Sequence, residues 1–357
     1  MSIFGAGHEV VTSTTKPSSP SVGQLIYCTD TDEYLKYVSY GGANRWMQAV
    51  LKPNRNKIFN GGFDVWQRGT SSGSAGYIAD RFYNDNVTTV DRQTDVPTNA
   101  GFRYSMRHLV STQQFPIIRQ RIEGLNTANL AGKTLTISFW AKSGTTTAGT
   151  GRMYVNFNYP NALDNYATKT FIINNFDVDA WVPDATWRFY SFSFLAPAQV
   201  SNGLEVEIVR HNSATTTFVT GVQLESGSAP SEFEFEPYET TLRKCERYYF
   251  IVKNSSSNSP VLYRFNYGGY DNVYHCTITL PVTPRITNGI TMPVFAGGTQ
   301  IHKPGVRWDV PSAIGIELLP GNSGTQYQLN VTPNVNDGAG FYGIYLYGIG
   351  IVYNGEL

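Results

Sequence analysis

Phe102-Arg-Tyr-Ser-Met-Arg-His108 sets bulky side chains at its even positions and polar ones at its odd positions. That period of two is the mark of a strand with one face buried. The same alternation runs through Thr134-Leu-Thr-Ile-Ser-Phe139, Met153-Tyr-Val-Asn-Phe-Asn-Tyr159 and Leu204-Glu-Val-Glu-Ile208, and Trp187 to Leu195 reads as a further aromatic strand. Between these runs lie Gly, Pro, Asn and Thr spacers, such as Ser143 to Gly151. Repeated short strands with such turns predict a sandwich or jelly roll.

Outward from this centre, the chain reads as all-β in three parts. Residues 1–55 form a small β segment, with a hairpin of Gly23 to Tyr27 and Tyr34 to Val38 around Asp30-Thr-Asp32, and a third short strand over Arg45 to Gln48. Three short strands with a single Trp cannot enclose a core, so this part needs something to pack on. Residues 56–238 carry the jelly-roll pattern. Residues 239–357 are β again and form a second sandwich. One short helix, over Glu239 to Tyr249, marks the junction, with Leu242, Cys245 and Tyr249 on one face. The closing run Gly340 to Tyr353 is too rich in Gly for a helix; as one strand it puts Tyr345 and Tyr347 on a common face.

Composition narrows the function. The chain has 357 residues, 27 Lys plus Arg against 27 Asp plus Glu, 15% charged and 14% aromatic residues. Nucleic-acid binding rests on basic residues that neutralise phosphates, and no basic excess or basic run exists. Insertion into a membrane is excluded likewise, since the longest mainly apolar stretch, Phe341 to Tyr353, is broken by Gly and falls short of the roughly 18 residues a span needs. The three cysteines are scattered without a CxxC pair, so neither a zinc site nor a redox dithiol is readable. The N-terminus lacks the basic and apolar regions of a signal peptide.

Catalytic motifs fail one by one. Gly69-Thr-Ser71-Ser-Gly73 spells GxSxG but lacks the flanking strand and helix of a nucleophile elbow. Gly132-Lys133-Thr134 lacks the earlier glycine of a phosphate loop, that position being Thr127. The five histidines are scattered singly, and carboxylates such as Asp64, Asp80, Asp164 and Glu225 show no pairing readable from sequence. Non-catalytic sugar binding fits better, because aromatic faces and amide side chains suit neutral, oxygen-rich ligands. Trp140, Tyr154, Tyr159, Trp181 and Trp187, on or beside strands and accompanied by Asn156, Asn158 and Asn161, are the candidates in the central domain. Packing in the sandwich core is the competing role for each.

Two runs resemble something specific. Asn60-Gly-Gly-Phe-Asp-Val-Trp-Gln-Arg-Gly-Thr70, with Ala79-Asp80-Arg81-Phe82, looks like the start of the carbohydrate-binding-type jelly roll common in bacteriophage tail fibres. Thr220-Gly-Val-Gln-Leu-Glu225, with Phe233 to Tyr238 and Cys245 to Tyr249, looks like its closing strand and exit. The N-terminal pieces Thr14 to Pro17, Gly23 to Tyr27, Thr29 to Asp32 and Trp46 are similar to short modules of phage tail proteins. Leu280 to Arg285 and Asn354 to Leu357 are similar to receptor-binding tips. The resemblance implies a homotrimeric virion tail fibre or adhesin, made in the host bacterial cytoplasm without a signal peptide. Its N-terminal segment would join other tail proteins, and its tip, with Tyr342, Tyr345 and Tyr347, would contact a host surface glycan without bond chemistry. A purely structural virion protein and a polysaccharide depolymerase are the alternatives. No cofactor is expected beyond calcium, which such jelly rolls often hold. Asp64 matches one ligand position, but the other falls at Thr220-Gly221, where no carboxylate stands.

Overall fold

The structure is a computed structural model. It describes residues 8–110, 115–144, 153–177, 184–210 and 216–253, together with 261–267, 274–279, 285, 290–291, 299–303, 306–309, 313–318, 326–332, 342–346, 349–354 and 356. The fold is all-β, with a single helix longer than five residues among the described residues. Two compact units divide the chain, one of residues 1–241 with Leu357 and one of residues 242–356.

The first unit opens with β1 (Glu9–Val11), β2 (Leu25–Cys28), β3 (Glu33–Tyr40) and β4 (Ala43–Gln48), one sheet in that order. β1 runs parallel to β2, and the other pairs are antiparallel. Its own core is small, as its length dictates: Val11, Ile26, Cys28 and Leu35, completed by Ala229 from the far end of the unit.

The sandwich follows: β5 (Ser71–Ser72), β6 (Gly76–Tyr77), β7 (Tyr83–Asp85), β8 (Thr89–Gln93), β9 (Ser105–Leu109), β10 (Ile117–Glu123), β11 (Thr134–Ser143), β12 (Met153–Ala162), β13 (Asn165–Asp177), β14 (Arg188–Leu195), β15 (Gly203–Arg210) and β16 (Thr217–Ser226). One sheet, here the front, has the order β13-β12-β15-β10-β7-β6; the rear sheet has β14-β11-β16-β9-β8-β5. Each strand of the front sheet thus has its neighbour in sequence at the same place in the rear sheet, the wrapped connectivity of a jelly roll.

Alternation does what the sequence predicts. Leu204, Val206 and Ile208 of β15 face Leu135, Ile137 and Phe139 of β11 in one buried cluster, with Met106, Val155, Phe157 and Phe194. Phe157 and Phe194 join the layers with ring centroids 4.0 Å apart. Each such side chain contributes about 1.5–3 kcal/mol on burial. The register of β11 on β16 shifts between Ser138 and Trp140. Gly221 sits beside that shift at φ +65°, and a Cβ there would lie 2.5 Å from the Phe102 ring.

Helix α1 (Tyr238–Glu246) stands where the sequence places a helix but ends before Tyr249, which opens the strand Tyr249–Lys253 instead. In the second unit the described strands form a three-stranded and a seven-stranded sheet. The Gly/Tyr run there is not one strand. Tyr342–Leu346 pairs with Val261–Tyr267 and Thr299–Lys303, whereas Ile349–Asn354 pairs with Tyr249–Lys253 and Ile290–Thr291 in the other sheet.

Candidate functional site

The sandwich has two outer faces, and the N-terminal sheet with segment 228–236 covers one of them. On the rear face, Trp140 lies under Tyr40 and beside Phe189, at centroid distances of 5.8 and 5.5 Å. Arg45 stacks over Phe189 at 4.8 Å and donates to its carbonyl at 3.1 Å. Gln48 donates to the Ser226 and Ala229 carbonyls, and Glu33 accepts from the Ser228 amide and hydroxyl. Segment 228–236 completes the cover, with Phe233 against Phe102 at 5.0 Å.

The front face carries a different surface. In the register of the sheet, Arg119 of β10 stands opposite Glu207 of β15, which stands opposite Asn156 of β12; one pleat on, Arg121, Glu205 and Asn158 repeat the row. Arg119 Nε donates to Glu207 at 2.8 Å, and Arg121 Nε to Glu205 at 2.7 Å. Asn156 and Asn158 donate to the same two carboxylates at 3.1 and 3.0 Å. Lys169 of β13 closes the network by pairing with Glu205 and, at 3.5 Å, with Glu207. Two rings support the cations: Arg119 over Tyr83 at 5.6 Å and Arg121 over Tyr166 at 4.9 Å.

The layering has a definite sense. The Glu205 and Glu207 side chains are 0% and 6% exposed, whereas those of Arg119, Arg121 and Lys169 are 17%, 23% and 27% exposed. Burial pushes the Glu205 carboxyl up, but the hydrogen bonds from Lys169 and Arg121 outweigh it and hold the group below the ordinary range. Arg119 is raised in turn, since Glu207 and Glu205 outweigh its desolvation. Asn158 Oδ1 has no hydrogen-bond partner among the described residues. The arrangement fixes N–H donors and an amide acceptor on a rigid sheet.

Most aromatic candidates of the sequence fall elsewhere. Trp140 is buried in the rear-face aromatic cluster with Phe102 and Phe189, so neither of its ring faces is open. Tyr154 is on the front face, 9% exposed. Trp187 is half-buried, donates from Nε1 to Asp95 at 3.0 Å and carries Lys142 over its ring. Tyr159 lines a hollow of 520 Å³ at the β13–β14 edge with Phe171, Ile172, Leu195 and Pro197. Trp181 and Tyr347 lie outside the described residues, and Tyr342 and Tyr345 are placed on one strand of the second unit. Of the described aromatic candidates, only Tyr154 shares a face with the charged rows, whereas Asn156 and Asn158, set beside those aromatics in the sequence, stand in the rows themselves. Arg119, Arg121, Lys169, Glu205 and Glu207 were missed, although opposite charges at alternate positions of two strands are a pairing signal.

Asp64 lines a cavity of 30 Å³ with Asn56, Asn60, Glu234 and Glu236, and burial lifts its carboxyl above the ordinary range. Among the described residues, no three His, Cys, Asp or Glu side chains come together as a metal site. No described helix is long and apolar enough to cross a membrane.

No family model matches the chain, and no curated protein matches it. Among solved structures, the enzymatically active domain of tailspike protein 4 of bacteriophage CBA120 is similar over 50% of this chain and 22% of its own length, at 16% identity and TM-score 0.34. The xylan-binding domain of Paenibacillus barcinonensis is similar over 46% and 90%, at 9% identity and TM-score 0.31. A family 22 carbohydrate-binding module of Clostridium thermocellum is similar over 49% and 97%, at 12% identity and TM-score 0.33. The chain thus spans about a fifth of that tailspike domain. These scores are low, and the jelly roll is read from the chain's own sheets.

Proposed function

We propose that the chain is a non-catalytic glycan-binding protein of a bacteriophage tail, and that the front face of its jelly roll holds the sugar. The observation that carries the reading is the double row Arg119–Glu207–Asn156 and Arg121–Glu205–Asn158, capped by Lys169, on the sandwich face that the N-terminal sheet does not cover. Buried ion pairs stabilise a fold weakly at best, because desolvation cancels most of their attraction. They do hold guanidinium and amide groups in fixed directions, which is what an oxygen-rich ligand needs. The lowered Glu205 carboxyl does not suit the acid of a glycosidase, which needs a raised pKa, and this supports binding.

The homotrimer, the tail-protein partners of residues 1–55 and the host-facing role of residues 239–357 belong to the same proposal, drawn from the sequence resemblance. A structural virion role is favoured by one observation: Phe171 and Leu195, 50% and 69% exposed, stand on the edge strands of the two sheets. Exposed apolar patches mark packing surfaces.

Glycan-array screening of the full chain, followed by titration calorimetry with the best ligand, tests the proposal. Lys169→Ala and Tyr83→Ala are expected to weaken binding about tenfold each, roughly 1.4 kcal/mol, with the fold intact by circular dichroism. An array without a retained glycan, or variants that bind like the parent, would overturn it and leave the structural role.

A further inference from the structure

Arg210 is the last residue of β15 and lies on the same side of that strand as Leu204, Val206 and Ile208, the side that faces the core. Thr217, the first residue of β16, shares its side with core residue Val219. β15 and β16 occupy the same place in the two facing sheets, so both side chains point into the interlayer at one end of the sandwich. Packed sheets lie about 10 Å apart, most of which an arginine spans.

Both side chains are closed off from solvent, Arg210 at 4% and Thr217 at 3% exposure. Nevertheless Arg210 Nε and Nη1, and Thr217 Oγ1, have no hydrogen-bond partner among the described residues. Among the described residues no carboxylate lies within ion-pair distance of Arg210. The Tyr190 phenol of β14 is near enough to interact electrostatically, but its partial charge is no counter-ion. Burial drives the guanidinium down to about 10. A buried, unpaired guanidinium is among the most costly groups a core can hold, and its charge and N–H donors suit an oxyanion.

We propose that this end of the interlayer is an oxyanion-binding site, with Arg210, through its unpartnered N–H groups, and Thr217 Oγ1 as its donors. The ligand is a tetrahedral or carboxylate oxyanion, either free in solution or carried on an acidic sugar. The site stands apart from the front face and does not depend on glycan binding there.

The test follows the thermal unfolding of the full chain in chloride buffer at fixed ionic strength, with chloride exchanged for inorganic phosphate, sulfate or glucuronate. Saturable stabilisation above chloride is expected for at least one, since a ligand that binds only the native state raises the midpoint. Phosphate and sulfate without glucuronate would point to the free ion, and glucuronate to an acidic sugar. Arg210→Met should abolish the effect, and Arg210→Lys, which keeps the charge but loses the guanidinium N–H directions, should weaken it about tenfold. In chloride alone, Arg210→Met should be no less stable than the parent, because no partner is orphaned. Three results would each overturn the site: no anion exceeding chloride, a response that survives in Arg210→Lys undiminished, or a marked loss of stability of Arg210→Met in chloride.

Discussion

His108, one of the five histidines scattered singly in the sequence, is structural in the fold. It faces the core from β9, and its Nε2 donates at 2.7 Å to Asn84 Oδ1 of β7, whose amide nitrogen donates in turn to the Phe82 carbonyl. Burial pushes its pKa down to about 3. The native state therefore refuses a proton that the unfolded chain takes up near pH 6.5, so stability is full above that pH and falls as pH drops towards 3. Between pH 6.5 and 5 the parent should lose about 1–2 kcal/mol, at most about 1.4 kcal/mol per unit. His108→Gln, which keeps a donor for Asn84, should show a flatter profile in urea unfolding; equal slopes would refute the assignment. The motif that begins the jelly roll has the same structural character. Asn60, at φ +60°, accepts from the Val65 amide and donates to the Val65 and Asp80 carbonyls. Asp80 accepts from the Gln67 amide and Arg68. A Cβ on Gly61 would lie 2.0 Å from the Val222 carbonyl oxygen. The residues that make the sequence resemblance specific thus tie a corner, and none of them lies on the front face rows.

At the scale of elements, the strands were legible and their outer faces were not. Leu204-Glu-Val-Glu-Ile208 reads from its alternation as a half-buried strand, and β15 is that strand. Alternation cannot say whether its polar side meets solvent, another sheet or a ligand, because that depends on which strands pair with it. Glu205 and Glu207 gain their meaning from partners on other strands, above all Arg119 and Arg121, more than eighty positions earlier in the chain. Trp140 fails as a sugar platform for the same reason: its cover comes from Tyr40 of β3, a hundred residues away. The small N-terminal sheet was rightly expected to need a surface to pack on, and its polar anchors can be tested. Glu33→Ala removes the acceptor for the Ser228 amide and hydroxyl, two hydrogen bonds to a carboxylate worth about 1.5–3 kcal/mol. Hydrogen exchange should accelerate in residues 25–48, with the front sheet unchanged. Acceleration throughout the sandwich, or none at all, would count against docking through this contact.

For the whole first unit, the division of labour follows from coverage. One sheet face is spent on holding the N-terminal sheet and segment 228–236, and the other keeps its ordered charges and amides. The zero net charge and the wealth of aromatics, read from composition, are distributed accordingly: rings fill the core and rear cover, while the paired charges of the front sheet sit in register. The most direct measurement is hydrogen–deuterium exchange of the full chain with and without the best glycan from the array. The account predicts protection in β10, β12 and β15, around Arg119 to Arg121, Asn156 to Asn158 and Glu205 to Glu207, with the rear sheet unaltered. Protection confined to the rear sheet around Trp140, or to the second unit alone, would contradict it.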